Sequence, residues 1–330
     1  MSTQVKKDFC YIMQSKKHIL IPGGAGFIGI NLTKKLLGDG HKVTVWDNQY
    51  TSGESSVEFL ESDRSENKNL AYENVDIRYE KSIECDIIIN LACPASPVHY
   101  QKDPVYTWET SVLGIRNLLN LAETNKAMLL HASTSEIYGD PFIHPQVESY
   151  WGNVNPIGIR SCYDEGKRAA ETLAMDYKRT RNVDTRLFRI FNTYGPYMQP
   201  DDGRVISNFC MQIINGETLT VYGDGKQTRS FCYVSDLVDG IIRLMELGDA
   251  PDGPINLGNQ DEFTLLELID LLGEVTGNKI DIKHMPLPMD DPLRRKPDIS
   301  KATQVLGWKP EVPLKEGIVK TMEYFRSITV

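Results

Sequence analysis

The chain has 330 residues, of which 41% are hydrophobic and 25% charged, which fits an ordinary globular protein and excludes a disordered, collagen-like or coiled-coil chain. Against 36 Lys and Arg stand 45 Asp and Glu; the net charge of -9 argues against nucleic acid or an anionic membrane as a general partner, yet a small cationic pocket for an anion stays possible. The six cysteines (Cys10, Cys85, Cys93, Cys162, Cys210, Cys232) have no CxxC spacing and are read as reduced thiols, with no metal site expected. No run approaches the ~18 apolar residues of a membrane span, and Met1 to Lys17 is polar without a signal-peptide core, so a cytoplasmic protein is expected.

In chain order, a short apolar run at His18 to Pro22 precedes a helical pattern from Phe27 to Leu37 and a β-rich run at Lys42 to Trp46. Thr51 to Asn74 is polar and rich in Ser, Glu and Asn, so it is expected to be a surface excursion adding little to the core. Further strands are predicted at Asp86 to Leu91, Met128 to Ser133 and Thr185 to Phe191, with amphipathic helices at Val105 to Glu123 and Tyr163 to Arg179 between them. This alternation predicts an α/β fold, a doubly wound parallel sheet with helices on both faces. After Asn192 the rhythm changes to short elements between Gly-, Pro- and Asp-rich loops (QPDDGR, YGDGKQ, DAPDGP, PLPMDDP) that are expected to shape a pocket. Helices there are signalled by Ser235 ahead of Asp236 to Met245, by the capping box Thr264 and Glu267, and by Leu314 to Arg326. The expected division is a dinucleotide-binding domain over 17–192, to which later segments return, and a smaller C-terminal substrate domain over 193–330.

Gly23-Gly24-Ala25-Gly26-Phe27-Ile28-Gly29 directly follows the first strand and opens a helix. Gly23, Gly26 and Gly29 suit a tight turn, close approach of a pyrophosphate and close helix packing, the signature of a Rossmann dinucleotide site. Asp47 ends the next strand, where a carboxylate accepts hydrogen bonds from an adenosine ribose and repels a 2'-phosphate, so the expected cofactor is NAD and not NADP. Tyr163 and Lys167 form a YxxxK pair on one face of a helix. For a tyrosine to act as a base near neutral pH its pKa must fall by about three units, worth ~4 kcal/mol, and a neighbouring lysine is one source. Thr134, in Ser133-Thr134-Ser135-Glu136 at a strand end, is placed to share a hydrogen bond with a substrate hydroxyl.

GGAGFIG, STSE, YxxxK, RIFNTYGP and YGDGKQTRSF together resemble the extended short-chain dehydrogenase/reductases that act on nucleotide sugars. More narrowly, LACPASPVHY, HPQVESYWGNVNPIGIRSCYDEGKR, DDGRVISNF and DDPLRRKPDISKA are similar to blocks of the UDP-glucuronic acid decarboxylases, and the likeness spans roughly residues 17 to 326. It implies oxidation of C4 of UDP-glucuronate with NAD, loss of carbon dioxide from the resulting β-keto acid, and reduction of C4 again to give UDP-xylose. Tyr163 would be the base and then the acid at O4, Lys167 would tune it, Thr134 would share the hydrogen bond, and Ser135 and Glu136 would face C5 and the carboxylate, with Glu136 or a water it orients protonating C5. The cofactor side would be formed by Gly23, Gly26, Phe27, Ile28, Gly29, Asp47, Asn48, Asp76 and Leu91. Substrate would be held by Ser96, Asn192, Arg204, Asn208, Tyr222, Arg229 and Arg295; Arg229 or Arg295 would approach the glucuronate end or the phosphates, and Arg295 the diphosphate.

Related 4,6-dehydratases carry Thr-Asp-Glu at the Thr134-Ser135-Glu136 position, and simple 4-epimerases carry a small residue in place of Glu136; the resemblance therefore favours the decarboxylase. A UDP-glucuronate 4-epimerase or a non-catalytic nucleotide-sugar or NAD sensor stays open. Relatives commonly form homodimers through a helix pair, here Val105 to Glu123 with Tyr163 to Arg179. The sequence departs from the family after Asp47, where it reads DNQYTSG.

Overall fold

A computed structural model describes residues 15–277, 279–286 and 294–329. Cys10, most of the polar start and the DDPL part of the DDPLRRKPD block lie outside the described residues. The chain runs β1 (His18–Pro22), α1 (Phe27–Gly38), β2 (Lys42–Asp47), α2 (Glu54–Glu66), β3 (Leu70–Asn74), β4 (Ile87–Asn90), α3 (Pro97–Tyr100), α4 (Pro104–Glu109), α5 (Ile115–Asn125), β5 (Met128–Thr134), α6 (Ser161–Arg181) and β6 (Thr185–Ile190). It continues with β7 (Thr193–Tyr194), α7 (Val205–Ile214), β8 (Leu219–Tyr222), β9 (Thr228–Ser230), β10 (Cys232–Tyr233), α8 (Val234–Glu246) and β11 (Ile255–Leu257). The last elements are β12 (Glu262–Thr264), α9 (Leu265–Thr276), β13 (Ile282–Met285), β14 (Arg294–Arg295), α10 (Ser300–Leu306) and α11 (Leu314–Thr329).

Seven strands form one parallel sheet in the order β11-β6-β5-β4-β1-β2-β3. Its central strands are apolar on both faces, as a sheet covered twice requires. One face packs on a core that includes Ile30, Leu36, Leu237 and Ile241 of α1 and α8; the other packs on Leu118, Leu119, Ala170 and Ala174 of α5 and α6. Strand order reverses between β1 and β4, and the crevice outside their carboxyl ends is where such sheets hold ligands. Beyond the sheet, β12-β9-β14 and β13-β8 build a smaller lobe whose loops overhang that crevice.

Three expectations need correction. Thr51 to Asn74 is not an excursion: it holds α2, which buries Ser56 and Leu60, and β3, an edge strand of the main sheet with Leu70 and Tyr72 inside. Its polar residues are the outer face of an amphipathic helix, and Leu60 alone is worth about 2 kcal/mol of burial. The helix expected from Val105 to Glu123 is α4 and α5 joined by a π-helical turn at Thr110–Gly114; there the Thr110 hydroxyl donates to the Tyr106 carbonyl. Ser235 lies inside α8, which begins at Val234, so it is no cap; Asp236 instead accepts the Glu311 and Val312 amides. Among the described residues no helix is long and apolar enough to cross a membrane.

Candidate active site

The glycine turn joins β1 to α1 at the reversal point. Gly23 adopts φ +78°, and a Cβ there would lie 2.6 Å from the Leu91 and Ala92 backbone that ends β4, so only glycine fits. A Cβ on Gly29 would collide with the Gly23 carbonyl. Gly26 differs: its φ is -72°, and the nearest atom to an added Cβ is the Gly23 carbonyl at 3.3 Å. It faces two adjoining cavities, whose floor a side chain would begin to fill.

The smaller cavity is lined by Asp47, Asn48, Asp76, Trp46, Leu91 and Tyr106. Asp47 accepts hydrogen bonds from the Ala25 amide (3.1 Å), the Gln49 amide (2.8 Å) and the Ser52 hydroxyl (2.9 Å). Burial raises its pKa despite these bonds. These residues fit an NAD: a cradle open only above glycine, a helix N-terminus, and a carboxylate at the next strand end.

The larger cavity, about 660 Å³, is lined by the catalytic candidates Thr134, Ser135, Glu136, Tyr163, Lys167 and Arg229. Phe27, Ile28, Ser96, Asn192, Arg204, Asn208, Tyr222 and Arg295 reach it too, so every site residue expected from the sequence borders one cavity or the other. Tyr163 is buried, stacks on Tyr100 with ring centroids 5.1 Å apart, and lines the cavity together with Thr134. Its phenol is nevertheless pushed well above its usual range, first by burial and then by Cys93, opposite to what a base needs. The Lys167 ammonium donates to the Ala132 carbonyl (2.9 Å) and lies over the Tyr163 ring, 5.9 Å from its centroid, while burial lowers its own pKa.

Glu136 is gripped by two guanidiniums, Arg160 at 2.6 Å and Arg295. Burial pushes its carboxyl up, but Arg295 and Arg160 outweigh that and hold it below the usual carboxylate range. As an ionised group it is a poor proton donor, which counts against the expected direct protonation of C5. Arg295 also approaches the Ser135 hydroxyl (3.4 Å) and the Gly139 carbonyl (3.1 Å). Parallel pairing of β14 with β9 brings Arg295 beside Glu136 at the end of β5. Arg204 pairs with Asp202 and Asn208 donates to the Gly203 carbonyl, so both are held by their own loop. Sequence reasoning missed Arg160, Tyr100 and Asp202. Arg160 stands three residues before Tyr163, inside a block already singled out, and its position there was the available signal.

Residues 19–258 match the model of the NAD dependent epimerase/dehydratase family, and the chain belongs to that family. Within it the chain belongs with the UDP-glucuronic acid decarboxylases: it is 53% identical over 320 residues to UDP-glucuronic acid decarboxylase 3 of Arabidopsis thaliana, covering 96% of this chain and 91% of that protein. Identity to UDP-glucuronic acid decarboxylase 1 of Danio rerio is 50%, over 94% of this chain and 73% of that one. Among solved structures, UDP-glucuronic acid 4-epimerase from Bacillus cereus in complex with UDP-glucuronic acid and NAD superposes with a TM-score of 0.85 at 25% identity, covering 94% of this chain and 99% of that one.

Proposed function

We propose that the protein converts UDP-glucuronate to UDP-xylose and carbon dioxide, using NAD without consuming it. The observation that carries this reading is the Glu136–Arg160–Arg295 cluster in the same cleft as Tyr163, Thr134 and Lys167, in a chain about half identical to decarboxylases. Asp47, Asn48, Asp76 and the glycine turn would hold the adenosine and pyrophosphate, and Lys167 the nicotinamide end. A bound NAD supplies a reversible hydride acceptor and a ring cation beside the phenol.

Tyr163 removes the O4 proton as C4 is oxidised and returns it when C4 is reduced, with Thr134 orienting the hydroxyl. The C4 ketone then lies β to the carboxylate, and carbon dioxide leaves as its bonding electrons move into the carbonyl. C5 takes up one proton, so each turnover consumes one proton from solvent. Arg160 and Arg295 place positive charge where the carboxylate lies, while Asn192, Arg204, Asn208, Tyr222 and Arg229 reach the rest of the nucleotide sugar. Residues 17–192 carry the cofactor and 193–330 mainly the substrate. Two copies pair through α4–α5 and α6, where Val105 and Trp108 are exposed. Cys85, Cys93, Cys162, Cys210 and Cys232 are free thiols.

Proton NMR of UDP-glucuronate with the protein and catalytic NAD tests the reading: UDP-xylose is expected. UDP-galacturonate would replace the reading with the 4-epimerase, and unchanged substrate would leave a nucleotide-sugar sensor. Stoichiometric release of NADH would contradict the internal return of hydride.

A further inference from the structure

His144-Pro145-Gln146 and Arg295-Lys296-Pro297-Asp298 are far apart in the chain, yet they meet in a short parallel bridge with Gln146 opposite Pro297. Gln146 is fully buried, and each of its polar atoms has a partner. Its amide donates to the Lys296 carbonyl (2.8 Å), and its carbonyl accepts from the Asp298 amide (2.8 Å) and Asn256 Nδ2 (3.0 Å). Its side chain reaches both ways: Nε2 donates to the Ile143 carbonyl (2.8 Å), and Oε1 accepts from the Lys296 amide (2.9 Å), 150 residues on. Lys296 directly follows Arg295. On the other side, the Asn256 that holds Gln146 accepts from the Tyr138 hydroxyl (2.8 Å), and Tyr138 ends the helical turn Ser135–Tyr138 that carries Glu136. Gln146 thus stands between the two backbones that bring Arg295 and Glu136 together.

Resting on the reading of the cleft as a UDP-glucuronate site, we propose that Gln146 is a positioning residue for Arg295: by holding the Lys296 amide it sets where the Arg295 guanidinium stands beside Glu136 to receive the sugar carboxylate. An arginine head on a long stem is placed only if the backbone beneath it is fixed. The strand beneath this one is two residues long, pairing Arg294 with Thr228 and Arg295 with Arg229. The backbone bonds at 146 tie down Lys296 and Asp298 whatever the side chain. The Oε1 bond is the one that fixes the peptide joining Arg295 to Lys296. Without it the Lys296 amide loses its acceptor and turns toward another, and Arg295 moves with it. The Arg295 contacts that depend on this placement are those to Glu136, the Ser135 hydroxyl and the Gly139 carbonyl.

The test is a double-variant cycle in NAD-loaded protein carrying Tyr163→Phe to stop turnover, with affinities for UDP-glucuronate and UDP-glucose measured by calorimetry. Arg295→Met removes a charge near the carboxylate and should weaken UDP-glucuronate on the order of tenfold or more. Gln146→Met keeps the length but loses both side-chain bonds, and should weaken it by roughly three- to tenfold. UDP-glucose, which lacks the carboxylate, should change by less than about twofold in either variant. With both substitutions present the Gln146 loss should vanish, because no guanidinium is left to place. Losses that multiply in the double variant, or an equal loss for UDP-glucose, overturn the proposal, since a purely structural glutamine would act in that way. If Gln146→Met does not fold, Gln146→Glu keeps the length and an oxygen acceptor, and goes through the same cycle with the same two outcomes. Binding of UDP-glucuronate without UDP-xylose formation by the parent protein would end the functional reading alone and leave the cycle to decide this one; no binding by the parent would end both.

Discussion

Tyr163 and Glu136 both stand in electrostatic states that differ from those their roles first suggest. A phenol raised by burial becomes a competent base only when cations join it, so Tyr163→Phe should lower turnover by roughly 10²- to 10⁴-fold with little loss of UDP-sugar affinity, measured by product NMR and calorimetry. Glu136→Gln removes the charge that separates Arg160 from Arg295, leaving two guanidiniums facing each other. We expect turnover to fall by roughly 10²-fold or more and stability to drop by about 2–3 kcal/mol in urea unfolding, because a half-removed ion cluster leaves charge uncompensated. Asp164 has a distinct stability signature. Its pKa is higher folded than unfolded, so the folded chain binds more protons between the ordinary Asp range and about 7, and stability declines as pH rises through that window. Asp164→Asn abolishes this titration; the variant should melt above its parent at about pH 8, with the gap shrinking toward about pH 5, as followed by circular dichroism.

At the level of elements, the β1–α1 turn separates packing from binding. Gly29→Ala would drive a methyl into the Gly23 carbonyl and should lose the fold. Gly26→Ala asks only for a small shift, so its melting temperature should stay close to the parent while NAD affinity falls by about 1–3 kcal/mol, roughly tenfold or more by fluorescence titration. This turn was legible in the sequence because strand, glycines, helix and Asp47 are local and rigidly spaced; so was YxxxK, where one helical repeat fixes the face. The clamp on Glu136 was not. Arg295 reaches it from 159 residues away through a two-residue strand, a contact that no local pattern encodes. The α2–β3 segment was misread because Ser and Glu dominate its composition, while the few residues that pack, Leu60, Leu70 and Tyr72, are what decide its structure. The burial that raises the Tyr163 phenol was not legible either, since spacing gives the lysine's place along the helix but not how deeply the pair lies.

Considered whole, the molecule leaves Val105 and Trp108 exposed on the α4 surface beside α6, the helix that carries Tyr163. If that surface is the seam between two copies, Trp108→Glu should halve the mass in light scattering while the fold survives; an unchanged mass would place the seam elsewhere. The same helix would then link assembly to the phenol's position. The main sheet ends at one edge in β11, which follows most of the substrate lobe in the chain and pairs with β6. During synthesis the nucleotide-binding half therefore leaves the ribosome with an open β6 edge, a ready template for pairing with another nascent chain, until Ile255–Leu257 follows it out of the exit tunnel. Slowed translation between β6 and β11 would lengthen that exposure, so codon choice over this stretch becomes a determinant of how much of the protein reaches its native state.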